Sequence, residues 1–132
     1  MKAKELKVLI VEDDSDTRLK LKIILNRLGV ILVEEASDGK QGLDIIAACG
    51  DKPFHLIVSD WNMPKMGGLD MLTKLRETQP SLPCFLVTGQ SDGATVMAAK
   101  KLGISAYVKK PFTVADIKSK LIKVMNVEDM AG

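Results

Sequence analysis

The side chains most able to do chemistry in this chain are carboxylates. Glu12-Asp13-Asp14 follow the apolar run 7–11, and Asp60 follows the apolar run 54–58 within Ser59-Asp60-Trp61-Asn62. Two other apolar runs end in Thr88-Gly89-Gln90 and in Lys109-Lys110-Pro111. If these runs are neighbouring strands, their carboxyl ends converge on one cleft, which is where open α/β sheets place their sites. Glu12, Asp13 and Asp60 would repel one another there, and at least one would hold its proton unless a cation sat among them. Oxygen-only donors select a hard cation, and Mg2+ suits a site with few protein ligands because it keeps several waters. The plainer alternative is three solvated loop acids with nothing between them.

The residues around the acids sharpen the choice. Lys110 brings a positive charge to the same edge, Thr88 a hydroxyl, and Gly89 leaves room for a bulky group. Carboxylates, a divalent cation, an ammonium and a hydroxyl are together the parts that hold a phosphoryl group. The acceptor would be a carboxylate able to form an aspartyl phosphate, and Asp60 is best placed because it ends a central strand. Neither GxxxxGK[ST] nor GxGxxG is present, so a nucleotide donor would have no such loop to hold it. Two rival chemistries fare worse. An aspartate-nucleophile phosphatase usually carries a second acid two residues after the nucleophile, and Asn62 stands there. A flavin carrier needs a hydroxyl-rich phosphate loop after the first strand, where this chain is acidic.

The elements that must position these groups can be read from periodicity. Near-continuous apolar runs at 7–11, 54–58, 84–87 and 104–108, with a weaker one at 30–33, predict strands covered on both faces. The segments between them predict helices. Leu21, Ile24, Leu25 and Leu28 form a stripe that stops at Gly29. Asp38 with Gln41 reads as a capping box ahead of Leu43, Ile46 and Ala47. Gly67-Gly68 opens a helix with Leu69, Leu72 and Leu75, and Asp92 opens a short one closed by Gly103. Thr113 caps a last helix with Val114, Ile117, Leu121 and Val124 on one face. Strand and helix alternate five times, which predicts an α/β fold: a doubly wound, parallel five-stranded sheet in three layers. The fourth helix, rich in alanine, should bury least and dock least firmly. Residues 126–132 read as a short frayed tail.

Composition narrows the function classes. The chain has 132 residues, 46% hydrophobic and 27% charged, which predicts one globular domain with its core over about residues 6–125. A net charge of +2 gives no case for direct nucleic-acid binding. The longest apolar runs are too short to enter a bilayer, and no signal-peptide pattern opens the chain, so a cytoplasmic protein is expected. Cys49 and Cys84 lack metal or redox spacing and read as reduced thiols. His55, the only histidine, reads as a packing residue.

The ordered set Val11-Glu12-Asp13-Asp14, Ser59 to Gly68, Val87-Thr88-Gly89 and Tyr107 to Thr113 closely resembles the receiver domain of bacterial response regulators. The run from Ser59 to Pro64 is most similar to that of single-domain chemotaxis regulators. The resemblance covers nearly the entire chain and implies a flavodoxin-like (βα)5 fold. It implies phosphorylation of Asp60 by a sensor histidine kinase or a phosphotransfer protein. It also implies Mg2+ held by Asp13, Asp60 and the backbone carbonyl of Asn62, with Glu12 acting through water. Thr88 and Lys110 would contact the phosphoryl group, with Gly89 and Gln90 flanking it, and Thr88 and Tyr107 would form the switch. The face built by the fourth helix, fifth strand and fifth helix would then bind an output protein, as in a chemotaxis regulator or a phosphorelay shuttle. A receiver excised from a larger regulator would look the same. Such a chain is a phosphoacceptor rather than an enzyme, is expected to be monomeric, and catalyses only its own phosphorylation and dephosphorylation. Lys100, Lys101, Lys109, Lys118, Lys120 and Lys123 on the output face are either a solvated surface or a lure for an acidic partner.

Overall fold

Five strands and five α-helices alternate along the chain in a computed structural model that describes residues 1–63, 65–89, 93–128 and 130. The strands are β1 (Lys7–Val11), β2 (Leu32–Ala36), β3 (Leu56–Asp60), β4 (Cys84–Thr88) and β5 (Ala106–Lys109). The helices are α1 (Ser15–Arg27), α2 (Gly39–Ala47), α3 (Gly68–Thr78), α4 (Gly93–Lys101) and α5 (Val114–Met125). All strand pairs are parallel and the sheet order is β2-β1-β3-β4-β5. This is the flavodoxin-like (βα)5 arrangement expected from the sequence, with β3 at its centre.

Burial on both sheet faces explains the continuous apolar runs. Val8, Ile10, Val58, Phe85 and Val87 pack with Leu21, Ile24 and Leu25 of α1 and Ile117 and Leu121 of α5. Leu9, Val11 and Ile57 pack on the other face with Ile46 of α2 and Met71, Leu72 and Leu75 of α3. The helix α4 buries only Thr95 and Ala99 among its described residues, both small, while Met97 is 61% exposed. Its expected start at Asp92 lies outside the described residues.

Local signals place the helix ends. Asp14 caps α1, accepting from the Thr17 N–H, and Gly29 takes φ +99° just past the last turn, where a side chain would be strained. Thr113 and Asp116 cap each other's backbone in a reciprocal box at α5. At α2 only half of the expected box forms. Asp38 accepts from the Gln41 N–H at 2.8 Å, but Gln41 Oε1 accepts from the Ser37 N–H at 2.7 Å.

Several expectations are corrected. The edge strand β2 runs 32–36 rather than 30–33, because Glu34, paired with Lys7, and Glu35, paired with Arg18 and Lys22, break the apolar run without breaking the ladder. Strand β3 begins at Leu56, since Phe54 is buried ahead of it and Ser59 and Asp60 continue it. Strand β5 begins at Ala106 rather than at residue 104. Ala47 faces solvent, and Gly42 takes the inner position on α2 against Val11. The chain after α5 is not frayed through residue 128: Val127 is 4% exposed, and the Glu128 N–H donates to the Met1 carbonyl at 3.0 Å. His55 does more than pack. Its Nδ1 accepts the Lys7 N–H at 2.9 Å, while its own N–H donates to the Lys7 carbonyl at 2.9 Å.

Candidate functional site: an acidic cluster bridged by Lys110

Parallel register delivers the site. Because β1, β3, β4 and β5 all point the same way, Glu12, Asp60, Thr88 and Lys110 come to one sheet edge. The Trp61 N–H donates to the Val87 carbonyl at 3.1 Å and the Lys110 N–H to the Thr88 carbonyl at 2.9 Å, so the strand ends stay zipped up to the cleft. Asp60 is 7% exposed and Glu12 1%, whereas Asp13 is exposed on the loop after β1. One oxygen each from Glu12, Asp13 and Asp60 lies within 4.8 Å of the others. Lys110 Nζ reaches into this group, 3.1 Å from Glu12 Oε1 and 3.5 Å from Asp60 Oδ1.

The loop after β3 is shaped by glycine. The Gly68 N–H donates to the Trp61 carbonyl at 2.8 Å, and a Cβ at Gly68 would collide with the Asp60 carbonyl oxygen. The start of α3 can therefore press against the backbone that carries Asp60. Gly39, at the start of α2, is equally confined: a Cβ there would lie 2.9 Å from the Met66 carbonyl oxygen.

Electrostatics follow from burial and partners. Burial pushes the Glu12 carboxyl up to about 7 against the pull of the Lys110 ammonium, with the nearby Asp60 charge adding to the rise. Burial alone would lower the Lys110 ammonium, but its bonds to Glu12 and the Asp60 charge prevail and raise it above the usual lysine value. Asp14 stands apart from the cluster. Its Oδ2 accepts from the Thr17 N–H at 3.0 Å and the Thr17 hydroxyl at 2.6 Å, which hold its carboxyl below the usual range. It serves the helix cap rather than the acidic cluster.

Residues 8–122 match the family model of the response regulator receiver domain. The chain belongs to this family. It is 38% identical over 123 residues to the chemotaxis protein CheY-3 of Vibrio cholerae serotype O1, covering 92% of each chain. It is 39% identical over 120 residues to a probable chemotaxis protein CheY of Rhizobium etli, covering 89% of this chain and 90% of the relative. A CheX–CheY–BeF3–Mg2+ complex of Borrelia burgdorferi shares the fold with a TM-score of 0.85, at 22% identity over 91% of this chain and 89% of that one. The expectation of a CheY-like receiver is met.

The other expected site residues of this receiver take graded positions. Thr88 is fully buried at the end of β4, and among the described residues a Cβ on Gly89 just beyond it would meet nothing within 4 Å. Asn62 is exposed on the loop after Asp60, lining a shallow hollow with Trp61, Met63 and Gly67. Tyr107 is half-buried on β5, and strand alternation puts it on the face opposite Val108, which lies in the α1/α5 core. Gln90 and Pro64 lie outside the described residues. The donor set fits a hard divalent cation: carboxylate oxygens, two of the acids buried and one facing water, with no thiol or imidazole among them. Sequence reasoning missed Arg18, whose Nη1 donates to the Glu12 carbonyl at 2.8 Å. Only its place one turn into the helix that follows the acidic run could have pointed to it.

Proposed function

We propose that this receiver accepts a phosphoryl group on Asp60 from the phosphohistidine of a sensor histidine kinase or a phosphotransfer protein. A carboxylate oxygen of Asp60 forms a bond to phosphorus as the P–N bond breaks, and the electron pair returns to the donor's imidazole. The observation that carries this reading is the placement of Asp60: buried, at the end of the central strand, 3.5 Å from the Lys110 ammonium and grouped with Glu12 and Asp13. Asp13, Asp60 and the Asn62 carbonyl would hold Mg2+ directly and Glu12 through water. Bound there, the ion neutralises charge on the transferring group. The Lys110 ammonium and the Thr88 hydroxyl steady its oxygens, and Gly89, with no side chain, leaves room for the donor. The Borrelia CheY, which shares this fold, carries BeF3 and Mg2+ in its complex with CheX.

Phosphorylation then acts through the α4-β5-α5 face, with Thr88 and Tyr107 as the moving pair. The small buried surface of α4 favours a face that shifts at a cost of a few kcal/mol. The output is a protein bound to that face, of the chemotaxis type carried by the relatives, rather than nucleic acid. The receiver works as a cytoplasmic monomer and catalyses nothing beyond its own phosphorylation and dephosphorylation; no helix among the described residues is long and apolar enough to cross a membrane.

Trp61, beside Asp60, supplies the test. Mg2+, and then acetyl phosphate or beryllofluoride, should each change its fluorescence, and Asp60→Asn should abolish the response to the phosphoryl donor. A donor response that survives in Asp60→Asn removes Asp60 as the acceptor. Hydrogen exchange across residues 93–102 should change with beryllofluoride; equal protection in both states would remove α4 from the switch.

A further inference from the structure

The turn that carries Glu12 and Asp13 is held from several sides, and one of the holds is a cation. The Glu12 N–H donates to the Ala36 carbonyl at 3.0 Å, tying the turn to β2. The Asp14 N–H donates to Glu12 Oε2 at 3.2 Å, closing the turn on its own side chain. Arg18 completes the set from α1. Its Nη1 donates to the Glu12 carbonyl oxygen at 2.8 Å, and its Nε lies 3.6 Å from Glu35 Oε1 on β2. The Glu35 carboxylate also faces Lys22 Nζ at 3.4 Å. The guanidinium thus spans α1, the Glu12–Asp13 peptide and the edge strand. That peptide joins the two acids, so its orientation sets how both carboxylates are presented.

We propose that Arg18 is a positioning residue for the divalent-cation site, fixing the Glu12–Asp13 peptide so that both carboxylates face the ion together. The proposal rests on the reading of the acidic cluster as a Mg2+ site. A rigid planar fork that can bind a carbonyl and a carboxylate at once is a property of arginine, not of lysine. The hold also runs against simple electrostatics. A positive charge this close to the acids opposes a second cation, so charge alone predicts that Arg18 weakens Mg2+ binding. Positioning predicts the reverse. The two explanations therefore differ in the sign of one measurement.

The experiment titrates Mg2+ alone, with no phosphoryl donor, into the wild type, Arg18→Ala, Arg18→Lys and Glu35→Gln, read by calorimetry and by Trp61 fluorescence. Urea unfolding in EDTA accompanies each titration. Arg18→Ala should bind Mg2+ about tenfold more weakly, the lower end of what loss of an outer-shell partner costs a metal site. Arg18→Lys, which keeps the charge but not the fork, should recover only part of that loss, and Glu35→Gln should weaken binding by a smaller factor in the same direction. Unchanged or tighter binding in Arg18→Ala overturns the proposal while leaving the metal site intact. A wild type that shows no Mg2+ response overturns the site reading, and the role of Arg18 with it. If Arg18→Ala loses its cooperative unfolding transition, Arg18→Lys decides, because it keeps the charge: weaker Mg2+ binding than the wild type supports the positioning role, and unchanged or tighter binding refutes it.

Discussion

Replacing Glu12 by glutamine should make the metal-free protein more stable at pH 8, even though it removes the buried partner of the Lys110 ion pair. The Glu12 carboxyl is pushed from 4.5 up to about 7 in the folded chain. Between those values the folded chain keeps a proton on Glu12 that the unfolded chain has released. Unfolding releases that proton, so the stability it lends is complete below about pH 4.5 and is lost as pH rises through about 7. The shift is about 2.5 units, and at roughly 1.4 kcal/mol per unit the loss by pH 8 is on the order of 3 kcal/mol. Glutamine resembles the protonated acid and cannot ionise, so Glu12→Gln keeps what the wild type loses. Lys110 retains Asp60 at 3.5 Å in the variant, so its ammonium is not left without a carboxylate. Asp14, whose carboxyl is lowered rather than raised, contributes stability above its usual range that is lost only on acidification, outside this window.

The assay is urea unfolding in EDTA at half-unit steps from pH 5 to pH 8. The wild type should weaken steadily with rising pH and the variant should stay nearly flat, with a gap of roughly 3 kcal/mol at pH 8. Adding Mg2+ at pH 8 should narrow the gap from the wild-type side, because an ion that binds only the folded chain stabilises it by mass action. Parallel pH profiles for the two proteins, or a variant less stable than wild type at pH 8, would refute the claim that burial of an ionised Glu12 strains this site.

Three further outcomes are expected. Gly68→Ala drives a methyl into the Asp60 carbonyl, so it should cost roughly 2 kcal/mol or more in urea unfolding and blunt the Trp61 response to Mg2+; a neutral effect would mean that α3 can back away from β3 freely. His55→Phe keeps the ring but leaves the Lys7 N–H without its acceptor, at a cost of about 1–3 kcal/mol measured at pH 7.5. Burial pushes the Cys84 thiol up to about 12, so a thiol reagent at pH 8 should label Cys49 in the folded protein and Cys84 only on unfolding, which a timed labelling with mass detection would show.

What the sequence made legible was governed by burial on both sides. Strands β1 and β4, covered on both faces, appear as near-continuous apolar runs whose ends match the strands to within a residue. The edge strand β2 alternates in exposure, with Leu32 and Glu34 exposed and Val33 and Glu35 half-buried, and two apolar residues followed by two acids do not show that period. The acids, Lys110 and Thr88 were legible because each terminates a strand, and parallel strands bring their carboxyl ends together whatever lies between. Close approach was not legible. Gly39 and Gly68 look like loop or cap glycines in one dimension, and only the packed helices show that a Cβ there would collide with a backbone oxygen. The same holds for His55 and Arg18, whose short hydrogen bonds go to the backbone of Lys7 and Glu12 and leave no mark on side-chain spacing.

Lys110 is where the electrostatics of the cleft meets the mechanics of the sheet. Its ammonium is shared between Glu12, which is 98 residues away in sequence, and Asp60 on the central strand. A phosphoryl group on Asp60 would carry more negative charge and more acceptor oxygens than the carboxylate it replaces, so the shared ammonium would be drawn toward it and away from Glu12. The backbone at Lys110 continues directly from β5, and its N–H is bonded to the carbonyl of Thr88, the last residue of β4. A change in what the side chain grips therefore pulls on the strand that carries Tyr107 and on the residue whose hydroxyl would meet the phosphoryl group. The helix that follows β4 in the chain, α4, is held down among its described residues only by the small Thr95 and Ala99. Under the proposed switch, a local gain of a few kcal/mol at the phosphorylated cleft would be enough to shift an element held that lightly.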